Sequence, residues 1–148
     1  MLNSTEIQQI GIETISLESK SLQKLVSLID GNFSRAVEDI LKSKGRVVVT
    51  GIGKSAIIAQ KIVATFNSTG TPALYMHAAD AIHGDLGMMQ QDDVAICISK
   101  SGNSPEIKTL APLITKGGNI LIGMVGNTDS YLAENSNYIL DTTVDVEA

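Results

Sequence analysis

Ser99, Ser101 and Ser104 place three hydroxyls within six residues, with Gly102 among them and Pro105-Glu106 directly behind. Ser104 is a good helix N-cap and Pro105 a good first helical residue, so a helix starting there points its free amides back over the serines. Hydroxyls and unpaired amides at the positive end of a helix suit a phosphate monoester without any arginine. The competing reading is an ordinary capped turn, because Ser-Gly-Asn-Ser is also turn chemistry. A second loop, Gly51-Ile-Gly-Lys-Ser55, leads from a run of β-branched residues into a helical pattern. It is not a Walker A loop: the place five residues before Gly53, where that motif needs glycine, holds Val48. Gly51-x-Gly53-x-x-Ala56 fits the loose dinucleotide fingerprint, but no acidic residue closes the next strand to hold a ribose. That strand runs into Met76-His77-Ala78, and Asp80 comes late. Either the glycines serve a tight turn, or the loop binds an anion at a helix start, which Lys54 and Ser55 favour. Two such loops at one sheet edge make a phosphate-bearing ligand the better reading.

Proton-moving groups lie near both loops. Glu106 falls in the first turn of its helix, where a carboxylate also favours the dipole as plain structure. Beside a phosphate cradle it gains a second role, as general base toward a bound sugar phosphate. His83 lies in the loop-like stretch Ala81-Ile-His-Gly-Asp-Leu-Gly87. His77 and His83 with Asp80 and Asp85 suggest a metal site, but their spacing matches no helical ligand pair, so proton transfer ranks above metal and no metal is expected. His77 closes a strand and faces the sheet edge. Asp92-Asp93 and Lys42-Ser-Lys44 read as solvated turn charges, and Cys97, inside Val94-Ala-Ile-Cys-Ile98, as a small buried core residue.

The elements that must position these groups follow from periodicity. Ile7, Ile10, Thr14, Leu17, Ser21, Leu25 and Leu28 recur at helical spacing, predicting a long amphipathic helix near 4–29 that Asp30-Gly31-Asn32 stops. Phe33, Val37, Ile40 and Leu41 mark a second helix ending before Gly45. Strands are predicted at 46–50, 72–76, 93–98, 119–125 and about 138–140, with helices after Gly53 and over 105–116. Strand–helix–strand alternation at these spacings gives right-handed crossovers and a parallel sheet between helix layers. The predicted fold is therefore a doubly wound α/β domain with a helical N-terminal extension. Ligands of such sheets bind beyond the carboxyl ends of the strands, where all the polar clusters above fall.

Composition narrows the function. The 148 residues are 43% hydrophobic and 18% charged, which suits one packed domain and excludes a disordered chain. A single cysteine excludes a disulfide framework and a thiolate zinc site. A net charge of -5 with 3% aromatics argues against general nucleic-acid binding. No apolar run reaches membrane-spanning length, and Met1-Leu-Asn-Ser-Thr-Glu6 lacks the basic start of a secretory signal, so a soluble cytoplasmic domain without membrane partners is expected.

Gly51-Ile-Gly-Lys-Ser55, Thr65-Phe-Asn-Ser-Thr-Gly-Thr-Pro72, His83-Gly-Asp-Leu-Gly-Met88 and Ile98-Ser-Lys-Ser-Gly-Asn-Ser-Pro-Glu106 together resemble the sugar-isomerase (SIS) domain. More narrowly, they are similar to the arabinose-5-phosphate isomerases of 3-deoxy-D-manno-octulosonate, lipopolysaccharide and capsule synthesis. The resemblance implies a five-stranded, flavodoxin-like sandwich forming one SIS domain over 1–148, with helices in 1–45 and the sugar-phosphate core in 46–148. It implies interconversion of D-ribulose 5-phosphate and D-arabinose 5-phosphate through an enediol, with no cofactor. The family's phosphate contacts fall on Gly53, Ser55, Ser99, Ser101, Gly102 and Ser104. Its catalytic lysine falls on Lys54, its histidine on His83 and its glutamate on Glu106. Glu106 is then the candidate base, Lys54 the oxyanion partner and His83 the ring-opening or hydroxyl-proton group. Members continue into a further histidine and often a CBS pair, whereas this sequence ends at Ala148. The resemblance also implies a homodimer or homotetramer packed through the first helix, the alternative being that this helix covers its own sheet. A nucleotide sugar such as CMP-3-deoxy-D-manno-octulosonate is the inhibitor it suggests. The alternative function is a non-catalytic SIS sensor of a sugar phosphate or nucleotide sugar.

Overall fold

The computed structural model describes residues 2–146. Its strands are β1 (Val47–Gly51), β2 (Ala73–His77), β3 (Val94–Ser99), β4 (Ile120–Val125) and β5 (Tyr138–Asp141). They form one parallel sheet in the order β2-β1-β3-β4-β5. The chain winds outward in both directions from β1 and β3, so the switch point lies between those two strands.

Alternation along the strands sorts the core into two layers. Val47, Val49, Ile96 and Ile122 face α2 (Gly31–Lys42) and α3 (Lys54–Ser68) through Ala36, Ala59 and Phe66. Val48, Met76, Ala95 and Leu121 face α4 (Ala78–Ile82), α5 (Pro105–Lys116) and α6 (Tyr131–Glu134) through Ala81, Ile107, Leu110 and Leu132. Side chains of successive strand residues point to opposite faces, so the continuous run Val47-Val-Val49 serves both layers. Cys97 is fully buried, as expected, and desolvation pushes its thiol up to about 12.

The predicted strands and the other main helices form within one or two residues of their expected limits, whereas the first helix, expected near 4–29, ends at Leu25 and continues as a 3-10 turn over Val26–Leu28. Three short helices escaped the periodicity. α4 and α6 have 5 and 4 residues, and a 3-10 turn covers Asp85–Met88; pieces of one turn are too short to display a helical period. The region around His83 is therefore mostly helical rather than a loop.

Two further expectations change. α1 (Ser4–Leu25) buries no residue and leaves Ile7, Ile10, Ile15 and Leu22 exposed, so it does not cover its own sheet. Asp93 is not a solvated turn charge. It is 2% exposed and receives the Arg46 guanidinium at 2.7 Å, the Arg46 N–H at 2.7 Å and the Gln90 N–H at 2.9 Å. Burial disfavours its charge, but these donors outweigh that and hold the carboxyl below the ordinary carboxylate value. Its neighbour Asp92 stays exposed.

Candidate active site

β1 ends at the glycine loop because Gly51 lies where a Cβ would stand 3.1 Å from the Ile98 carbonyl and 3.1 Å from the Ser55 backbone. Glycine thus lets α3 begin this close to β3 without pushing either backbone aside. Gly53 then turns at φ 58° and stands at the N-cap of α3 with no capping side chain. Lys54 and Ser55 occupy the first turn.

The neighbouring strand delivers the serines. Ser99 is the last residue of β3, and its Oγ accepts from the Gly102 N–H at 3.1 Å. The Ser101 Oγ accepts from the Asn103 N–H at 3.3 Å. Each hydroxyl is thereby held by its oxygen, with its hydrogen able to point to a ligand. Gly102 adopts φ 62°, and a Cβ there would overlap the Ser130 hydroxyl. Ser104 stands at the N-cap of α5, as the sequence predicts, but makes no capping hydrogen bond. Its Oγ is buried without a partner.

These residues meet in an open cleft of about 420 Å³ lined by Ile52, Ser55, Ser99, Lys100, Ser101, Ser104, Gly126 and Asn127. The cleft lies at the β1/β3 switch point, over the uncapped start of α5. Among the described residues the buried side-chain atoms lacking a hydrogen-bond partner are Thr50 Oγ1, His77 Nδ1 and Ser104 Oγ. Thr50 and His77 lie in the last two residues of β1 and β2, so all three sit at the carboxyl edge. A buried polar group without a partner is costly and rare in proteins, and of these three residues Ser104 lines the cleft.

The structure thus brings together Ser55, Ser99, Ser101 and Ser104. The candidate proton-moving groups are not among the residues lining this cleft. Lys54 opens instead into an adjoining groove of about 580 Å³ with Leu17, Glu18, Ser21 and Leu22 of α1 and with Val144 and Val146. Glu106 is half-buried in the first turn of α5. His83 is exposed at the C-cap of α4. The His77 Nδ1 lies 3.6 Å from the Asp80 carboxylate. Among the described residues no cluster of His, Cys, Asp and Glu is arranged to hold a metal. Gly126 and Asn127, which line the cleft from the end of β4, escaped sequence reasoning. Their signal was positional, since they follow a strand at the same sheet edge, but one glycine and one asparagine carry no chemistry of their own.

The SIS domain profile matches residues 40–148. The chain belongs to the SIS domain family. Among curated SIS relatives, the arabinose 5-phosphate isomerase KdsD of Pseudomonas aeruginosa is 47% identical over 135 residues, 91% of this chain and 41% of that protein. KdsD of Francisella tularensis is 48% identical over 140 residues, 93% of this chain and 43% of that protein. The chain therefore spans about two fifths of the length of these relatives. Among solved structures, the E. coli CFT073 protein c3406 in complex with arabinose 5-phosphate superposes with a TM-score of 0.92 at 36% identity, covering 99% of this chain and 78% of that one. The SIS fold, with the N-terminal helix included, is thus shared along the whole chain.

Proposed function

We propose that this SIS domain binds a five-carbon sugar phosphate and interconverts D-ribulose 5-phosphate and D-arabinose 5-phosphate. The observation that carries the reading is the unpartnered Ser104 hydroxyl at the open start of α5, beside Ser99, Ser101 and Ser55. A phosphate there receives hydroxyl and amide donors at the positive end of two helices. The names of the KdsD relatives and the arabinose 5-phosphate complex of the c3406 protein support the choice of sugar.

In this reading Gly53 and Gly102 shape the two loops, and the four serines hold the phosphate. Glu106, two residues beyond Ser104, moves the proton between C1 and C2. Lys54, adjacent to Ser55, stabilises the oxyanion of the enediol, and His83 serves ring opening or the hydroxyl proton. Residues 1–45 act as a helical extension of a core spanning 46–148, and the bare apolar face of α1 packs against other subunits in a homo-oligomer. A nucleotide sugar that reaches the same serines inhibits by competition.

A coupled assay with D-arabinose 5-phosphate, D-ribulose 5-phosphate and hexose phosphates tests the reading. Turnover confined to the pentose pair is expected, with Glu106→Gln lowering it roughly 10²- to 10⁴-fold. Unchanged turnover in Glu106→Gln removes the base assignment. Tight binding without turnover, in this chain and in one extended past Ala148, assigns the cleft to a sensor.

A further inference from the structure

The serine loop is fastened from one side by α6, through a residue that has no assigned part in the site. At the start of α6 the Tyr131 N–H donates to the Asn103 Oδ1 at 3.2 Å, and the Leu132 N–H to the Gly102 carbonyl at 3.0 Å. The next amide, on Ala133, donates to the Ser130 Oγ at 3.4 Å. Amides that a helix start leaves without partners are thus taken up by the serine loop and by Ser130. The other end of the Asn103 carboxamide reaches back: its Nδ2 donates to the Ser101 carbonyl at 3.0 Å. One planar group therefore ties Ser101 to α6. That helix cannot follow the loop if the loop shifts, because Ser130 and Leu132 are 1% and 0% exposed.

Resting on the reading of the serines as a phosphate cradle, we infer that Asn103 is a positioning residue that holds the Ser101 hydroxyl on the phosphate. Its carboxamide fixes the Ser101 backbone, and its N–H occupies the Ser101 oxygen and leaves the hydroxyl hydrogen for the ligand. Asn103 acts through Ser101 and needs no contact with the sugar. Because preorganised donors lose little freedom on binding, the residue contributes to affinity at the phosphate end and not to proton transfer.

The test is binding of inorganic phosphate and of D-arabinose 5-phosphate to the 148-residue chain, followed by calorimetry and amide chemical shifts. Asn103→Leu keeps the side-chain size and removes both carboxamide bonds; Asn103→Ser is polar but too short to span them and should behave alike. Both are expected to raise Kd for the two ligands by the same factor, roughly threefold to tenfold, the range of one neutral hydrogen bond. The phosphate-induced shift of the Ser101 amide should shrink while that of Ser55, on the other loop, persists. Equal loss at Ser101 and Ser55 would signal general loosening and overturn the assignment. Wild-type affinity in both variants, with Ser104→Ala weakened, also overturns it and leaves the phosphate cradle standing. Failure of the unaltered chain to bind either ligand removes the cradle itself, and the role of Asn103 with it.

Discussion

The two edges of the sheet treat buried polar groups in opposite ways. Where the strands begin, Asp93 is buried and surrounded by donors from Arg46 and Gln90. Beside it the Asn119 carboxamide donates to the carbonyls of Gln90 and Asp93 at 2.7 and 2.9 Å. Gly45 packs so tightly on the Asp92–Asp93 backbone that a Cβ would overlap it. Where the strands end, Thr50, His77 and Ser104 each present a buried atom with no hydrogen-bond partner. Satisfying a buried group stabilises the fold, and leaving one unsatisfied costs stability unless a ligand completes it. The starting edge therefore satisfies its buried polar groups within the fold, and the finishing edge leaves hydrogen-bonding capacity unused, as the proposed phosphate cradle requires.

That division can be broken in order of size. Arg46→Met leaves the Asp93 carboxylate buried and without its cation, and should cost about 3–5 kcal/mol. For a domain of this size that lowers Tm by roughly 6–20 °C. Phosphate affinity of the folded protein should stay within about twofold, since a change well away from the cleft shares no partners with it. Calorimetric melting and titration together check both, and a large affinity change would merge the two edges into one system.

Gly102→Ala comes next. The positive φ and the overlap with Ser130 should destabilise by about 1–3 kcal/mol and, unlike Arg46→Met, should also abolish phosphate binding. Urea unfolding and a phosphate titration separate the two effects, and retained binding would show that the loop tolerates displacement.

Ser104→Ala sharpens the comparison by moving stability and affinity in opposite directions. Deleting an unpartnered buried hydroxyl should leave stability unchanged or raise it by about 1 kcal/mol, while phosphate affinity falls roughly tenfold or more. A destabilised variant would mean that the hydroxyl already has a structural partner in solution.

The smallest effect is in pH. The Asp93 carboxyl sits below its unfolded value of about 3.9, so its contribution is fully present well above that value and is lost as pH falls through it toward the lower folded value. Melting from about pH 7 down to about pH 3 should show this loss in the unaltered chain and much less of it in Arg46→Met. Equal acid sensitivity in both would assign the loss to other carboxylates.

The amino-acid sequence carried the repeating part of this protein. Val47-Val-Val49 and Val94-Ala-Ile96 read as strands covered on both faces, and Pro105 to Lys116 as a helix, because burial of a repeating element imposes a period on its residues. The polar clusters at the strand ends were equally legible, since a serine cluster before Pro105 and glycines before Lys54-Ser55 stand out by type and spacing alone, and their serines share one cleft. Two things depended on contacts between residues far apart in the chain. Asp93 became buried because Arg46, 47 residues away, meets it across two adjacent strands. Asn127 entered the cleft because β4 lies beside β3. Ser104 stands at an N-cap position that the sequence predicts, yet its hydroxyl makes no hydrogen bond to the helix amides, which residue type does not reveal. Local preference determines which elements form and which residues begin them. Which polar groups are satisfied, and which are left without a partner, is decided only when distant segments close on one another.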